Sequence, residues 1–183
     1  DMASLADPKL LSDFLEARMG KDRFEDLEIP LSVTATDFWQ RELVVFDSGP
    51  LIEPVMASAA LPGVFPPVKH KDRLLVDGGI INPVPYDLII DQCDITIAVD
   101  VTGNRKPPED GFPGYMDLIF NTFDIMQANV IKSMRRVKEP DIYLKPPVTG
   151  IRVLDFYRSE EIYKQAEPVK EELKRKLEKI YKT

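Results

Sequence analysis

Residues 74–85, LLVDGGIINPVP, leave few folds open to this chain. Leu74, Leu75 and Val76 form an apolar run that ends on an acid, Asp77, and Gly78 and Gly79 follow at once. Pro83 and Pro85 have no N–H to give a ladder or a helix interior, so neither element can run through them. RLLVDGG reads as a buried strand that ends at Asp77, with a turn after it. A carboxylate at the end of a buried strand is partly desolvated, which raises its affinity for a proton. General-base work is favoured when that affinity is brought nearer the working pH. Gly78 and Gly79 admit positive φ and close backbone approach, so the turn can be sharp while the carboxylate stays open to a partner. Asn82, Pro83 and Pro85 would hold the exit loop in one geometry. Asp-Gly is also a common turn dipeptide, and a plain turn is the rival reading of the segment taken alone.

The rest of the chain alternates helices with strands. DPKLLSDFLEARMG begins with a cap at Asp7 and Pro8 in the first turn, and Gly20 suits the stop; Leu10, Leu11, Phe14, Leu15 and Met19 share one face. In IPLSVTATD, Leu31, Val33 and Ala35 alternate with Ser32, Thr34 and Thr36 at the strand period, and RELVVFDSG continues as a second strand. A short helix is expected over residues 55–60, closed by Pro62 and Gly63. Residues 85–92 have helical character. ITIAVDV, residues 95–101, reads as a central strand covered on both faces. The composition of residues 103–114 is that of a loop, and a long amphipathic helix is expected over residues 115–137. DIYL is the last strand. Ser159 is then expected to cap a final helix with a stripe of Ile162, Ala166, Val169, Leu173, Leu177 and Ile180, kinked or split by Pro168. The alternation argues for a layered α/β domain without internal repeats, and 183 residues at 44% hydrophobic suffice for one core.

Charge and cysteine content exclude several functions. With 31 acidic against 24 basic residues the net charge is −7, which disfavours a nucleic-acid partner. The nearest basic cluster is Lys132, Arg135, Arg136 and Lys138, read first as a solvated helix face and second as a membrane-facing patch. One cysteine, Cys93, expected in the core, allows no internal disulfide. Asp91, Cys93 and Asp94 lie close in sequence, but no second group with ligand spacing joins them, so no metal and no cofactor is expected. No apolar run approaches the roughly 18 residues that span a bilayer. His70, the single histidine, sits in the charged link KHKDR and is expected at the surface without a catalytic duty.

ASAALPGVFPPV, residues 57–68, followed by LLVDGGIINPVP and preceded by IPLSVTATD and VVFDSG, resembles the patatin-like phospholipase family in order and spacing. The resemblance covers roughly residues 24–101 well and the remainder by element order. It implies a three-layer α/β/α fold, and Asp77 as the acid of a serine–aspartate dyad that takes the proton from a serine attacking an acyl ester, with no histidine required. Gly78, Gly79 and Asn82 would shape the loop beside it.

The family's nucleophile sits in a G-x-S-x-G elbow, with an oxyanion hole in a glycine-rich turn nearer the N-terminus. Neither occurs here. None of Ser4, Ser12, Ser32, Ser48, Ser58, Ser133 and Ser159 has glycine two residues away on both sides. Ser58 comes nearest, but in the family's pattern that serine belongs to a packing helix. The parts that are missing are contiguous in the family, and the chain opens on Asp1, so the expectation is a single domain over residues 1–183: the C-terminal portion of a patatin-like domain, incomplete on its N-terminal side. The expected function is hydrolysis of a lipid or fatty-acyl ester, with nucleophile and oxyanion hole in an upstream segment. The alternatives are a non-catalytic binding or regulatory module, and a subunit that completes a site with another chain.

Expected partners are the lipid substrate, the upstream segment, a membrane surface, and a second copy paired through an open edge; an apolar groove beside Asp77 is expected with them. A cytoplasmic or membrane-peripheral setting is favoured. Phe112, Tyr115, Phe120 and Phe123 are read first as core and second as the lining of an acyl pocket.

Overall fold

The computed structural model describes residues 8–102, 111–151 and 155–182. The chain divides into two compact units, residues 1–83 and residues 84–183, and the architecture is mixed α/β.

The first unit holds helix α1 (Pro8–Met19), strand β1 (Val33–Asp37), strand β2 (Glu42–Phe46), helix α2 (Ile52–Ser58), strand β3 (Val68–His70) and strand β4 (Arg73–Asp77). Gly20 stops α1 at a positive φ of 59°. Asp7 and the side chain of Leu10 lie outside the described residues; Leu11, Leu15 and Met19 are half-buried, whereas Phe14 is exposed. α2 begins three residues earlier than the sequence suggests, because Pro54 falls in its first turn, where a missing N–H costs nothing. The strands form one antiparallel sheet in the order β2-β1-β4-β3. Ala35, Ala57 of α2 and Leu75 make a buried cluster on one face, with Val44, Phe46 and Val68 against it.

β3 was not expected. The link KHKDR is a tight hairpin in which His70 pairs with Arg73 and Lys71 takes a left-handed φ of 53°. β1 also departs from its pattern: Leu31 is exposed and outside the strand, and all five residues of the strand are buried, the two threonines included. Asp37, 2% exposed, turns the chain into β2 by accepting from the backbone N–H of Trp39 and Gln40 at 3.2 and 3.1 Å.

The second unit holds strand β5 (Ile97–Val99), helix α3 (Tyr115–Val137), strand β6 (Ile142–Leu144) and helix α4 (Ser159–Tyr181). β5 and β6 pair in parallel, and Ala98, Val84, Tyr86 and Ile131 form the core with Met134 and Tyr143 against it. β5 is shorter than expected and is covered on one face only, since Ile97 and Val99 flank buried Ala98 but are themselves exposed. Residues 85–92 form a 3-10 turn (Tyr86–Leu88) and further turns in place of a helix, and Cys93 is exposed. α3 matches its expected bounds. Of the four aromatic residues, Phe120 is core and Phe123 half-buried, while Phe112 and Tyr115 are 82% and 77% exposed.

Residues 103–110 of the expected loop lie outside the described residues. α4 runs through Pro168 as one helix, and its cap position is Arg158, with Ser159 already helical after a 3-10 turn (Phe156–Arg158). Its apolar stripe is half-buried at Ile162, Ala166, Val169, Leu173 and Leu177, and Lys176 Nζ donates to the carbonyl of Tyr143 at 3.0 Å. Among the described residues no helix is long and apolar enough to cross a membrane.

Candidate active site

Strand β4 delivers Asp77 to the end of the sheet, and three contacts fix its backbone there. It pairs with Ala35 of β1, its N–H donates to the carbonyl of Ala60 at 3.1 Å, and its carbonyl accepts from Thr36 Oγ1 at 2.9 Å. Strand alternation puts its side chain on the same face as Leu75, the face that packs on α2. The next residues leave the strand as a 3-10 turn (Gly78–Ile80), for which Asp77 is the N-cap. Its Oδ1 accepts the backbone N–H of Gly79 at 2.7 Å. Among the described residues no group donates to Oδ2.

Two opposed influences act on this carboxylate. Burial, the larger, raises its pKa from the ordinary aspartate value by disfavouring the charged form; the Gly79 N–H pulls the other way, and the net direction is up. Asp77 is half-buried.

Gly78 is buried, and the reason for glycine is contact. A Cβ there would lie 2.4 Å from the carbonyl oxygen of Thr34 and 2.6 Å from its Oγ1. Positive φ plays no part, because neither Gly78 nor Gly79 adopts it. The turn is closed by the N–H of Asn82, which donates to the carbonyl of Gly78 at 3.0 Å, and Asn82 is 6% exposed. The structure thus brings Asp77, Gly78, Gly79 and Asn82 into one turn and adds Thr34 and Thr36, which the strand pattern did not single out.

The other candidates sit elsewhere. His70 is half-buried, not surface: its Nδ1 lies 2.9 Å from Glu53 Oε1 and its ring meets Phe46 edge-on at 5.2 Å, because the β3–β4 hairpin folds it inward. Ser58 is the last residue of α2 and is half-buried. Among the described residues no serine hydroxyl bonds to Asp77; Ser4 lies outside them. A groove of about 330 Å³ in this unit is lined by Val44, Phe46 and residues 70–73, not by Asp77. Among the described residues no three His, Cys, Asp or Glu side chains gather as ligands for a metal ion.

The turn can do one thing chemically: hold a carboxylate by one oxygen, with raised proton affinity, and offer the other oxygen to an incoming donor. Residues 1–90 match the sequence profile of the patatin-like phospholipase family. An uncharacterised NTE family protein of Mycobacterium bovis is 41% identical over 91 residues, 49% of this chain and 25% of that protein. The rat patatin-like phospholipase domain-containing protein 7 is 31% identical over 170 residues, 78% of this chain and 12% of that protein. Lysophospholipase NTE1 of Candida glabrata is 25% identical over 169 residues, 79% of this chain and 10% of that protein. The chain therefore spans a quarter or less of the length of these relatives.

Proposed function

This chain belongs to the patatin-like phospholipase family, and from that premise we propose that it is the base-bearing portion of a serine acyl hydrolase acting on lipid esters. The observation that carries the reading is the state of Asp77: backbone fixed from three sides, Oδ1 held by Gly79, proton affinity raised by burial. The names of the relatives, a patatin-like phospholipase domain protein and a lysophospholipase, favour a phospholipid or lysophospholipid ester as substrate.

In the proposed reaction a serine hydroxyl from a segment upstream of residue 1 donates its hydrogen bond to Asp77. As its Oγ attacks the acyl carbonyl, Asp77 takes the proton; as the ester C–O bond breaks, Asp77 returns that proton to the departing alcohol. Water then repeats the sequence on the acyl-enzyme, leaving free fatty acid and the starting serine. A normal aspartate is too weak a base for this exchange near neutral pH, so the upward shift serves the chemistry. His70 takes no part, since Glu53 already holds its Nδ1. The oxyanion hole also lies upstream, and residues 1–183 form the C-terminal portion of one catalytic domain.

A fluorophosphonate probe on the full-length protein tests the assignment. The labelled serine should lie upstream of residue 1, and Asp77→Asn should abolish labelling. Labelling at Ser58, or labelling indifferent to Asp77→Asn, would overturn it.

A further inference from the structure

We infer that a cleft in the second unit binds a phosphate oxyanion, the chemistry shared by a soluble phosphate monoester and a phosphate lipid headgroup; the inference does not depend on Asp77. The cleft encloses about 500 Å³ between the last turns of α3 and the segments that follow β5 and β6. Four cations line it, Lys132, Arg135, Arg136 and Lys145, against two carboxylates, Asp100 and Glu139, in a chain whose net charge is −7. That reversal of sign is local.

Neither carboxylate is available to neutralise the whole set. Asp100 is 1% exposed and its oxygens are taken: Oδ1 accepts from the N–H and the hydroxyl of Thr102 at 2.9 and 2.5 Å, and Oδ2 from Tyr143 Oη at 2.6 Å with Lys145 Nζ at 3.1 Å. It is a post to which Tyr143 and Lys145 are tied. Glu139 receives Arg135 Nε at 2.9 Å, and the guanidinium lies 3.9 Å over the Tyr143 ring, so Arg135 is oriented before any ligand arrives. Lys132 and Arg136 are exposed and have no carboxylate partner among the described residues.

Lys132 and Arg136 also stand four residues apart on α3, where like charges repel each other across one turn. The helix C-terminus favours cations in its last turn, which accounts for Arg135 and Arg136. It does not account for Lys132 a turn earlier; Lys145, at the end of β6, is held by Asp100. An anion seated between Lys132 and Arg136 relieves their repulsion and accounts for Lys132. Arginine offers a planar fork and lysine a point charge, the pair of donor types that phosphate oxygens take.

The test titrates the intact chain with inorganic phosphate, chloride holding ionic strength constant, and follows backbone amide shifts by NMR. Saturable shifts are expected at residues 100–102, 131–136 and 143–145. Lys132→Gln and Arg136→Gln, both at exposed positions that leave the fold intact, should each weaken binding roughly tenfold, and Lys69→Gln on β3 should not. A second arm measures co-sedimentation with phosphatidylcholine vesicles doped with phosphatidic acid. Loss of vesicle binding in the two cleft variants assigns the phosphate to a lipid headgroup. Binding of phosphate and glycerol 3-phosphate without vesicle binding assigns it to a soluble ester. Absence of saturable binding in both arms, or binding unchanged by both cleft variants, would overturn the inference.

Discussion

Replacing Gly78 with alanine is the sharpest perturbation of the turn that carries Asp77. The new Cβ would stand 2.4 Å from the Thr34 carbonyl oxygen, where an ordinary contact begins at 3.4 Å. About 1 Å of movement is therefore required, far more than a packed interior yields without cost. The obstacle is backbone in β1, where Thr34 pairs with Val45 of β2 and its neighbour Ala35 with Asp77 of β4, so a retreat of Thr34 disturbs both ladders. Overpacking costs roughly 1–3 kcal/mol, and a backbone obstacle puts this site in the upper half of that range. For a chain of this size about 2–3 kcal/mol corresponds to roughly 4–12 °C in Tm. Thermal unfolding followed by circular dichroism measures it, with Gly114→Ala as control: there the new Cβ meets only Asp117 Oδ2 at 3.4 Å, and the cost should stay within about 1 kcal/mol. If Gly78→Ala melts together with the unaltered chain, the close approach of the turn to Thr34 is not what requires glycine, and the account of how Asp77 is placed fails.

Two further outcomes follow from the buried carboxylates. Asp77 has its pKa raised in the folded state, so its contribution to stability is fully present below the unfolded value and is lost as pH rises through the folded one. Asp77→Asn, whose amide oxygen can still accept from Gly79, should be the more stable form at pH 7, and the difference in Tm should shrink as pH falls towards about 4; a variant less stable at neutral pH contradicts the burial assigned to this group. For Asp100 the signs reverse. Burial pushes its pKa up, but the bonds from Thr102, Tyr143 and Lys145 outweigh that and hold it below the usual range, so its stabilisation is present at neutral pH and lost as pH falls through the folded value. Tyr143→Phe removes the 2.6 Å bond and should cost about 1.5–3 kcal/mol at pH 7, less in acid, measured by urea unfolding at both pH values.

What the sequence made legible is what short-range chemistry dictates. The strand ending at Asp77, the turn after it and the bounds of α3 all follow from apolar runs, glycine, proline and helical period. The burial of the β1 threonines was not legible, because period two says which residues share a face, not what covers the other one. Thr34 and Thr36 are buried by the chain's return through Gly78, a contact made across more than forty positions. The strand containing His70 was hidden for a similar reason: a three-residue strand between charged residues has no pattern of its own and exists because β4 offers it a ladder. Residue type alone puts Cys93 in the core, and its place between turns exposes it. The cleft at the end of α3 was visible only as a basic cluster; Asp100, Tyr143 and Lys145, which give it walls, arrive from separate strands.

The central claim, that Asp77 is the proton acceptor for a serine supplied from upstream, is tested most directly by the hydrolysis of a lysophospholipid by the full-length protein and by its Asp77→Asn variant at pH 7. The account predicts a fall in kcat of about 10²–10⁴-fold, the range over which a positioned base contributes, with folding intact by circular dichroism. A folded Asp77→Asn enzyme that turns over substrate at the unaltered rate would contradict it.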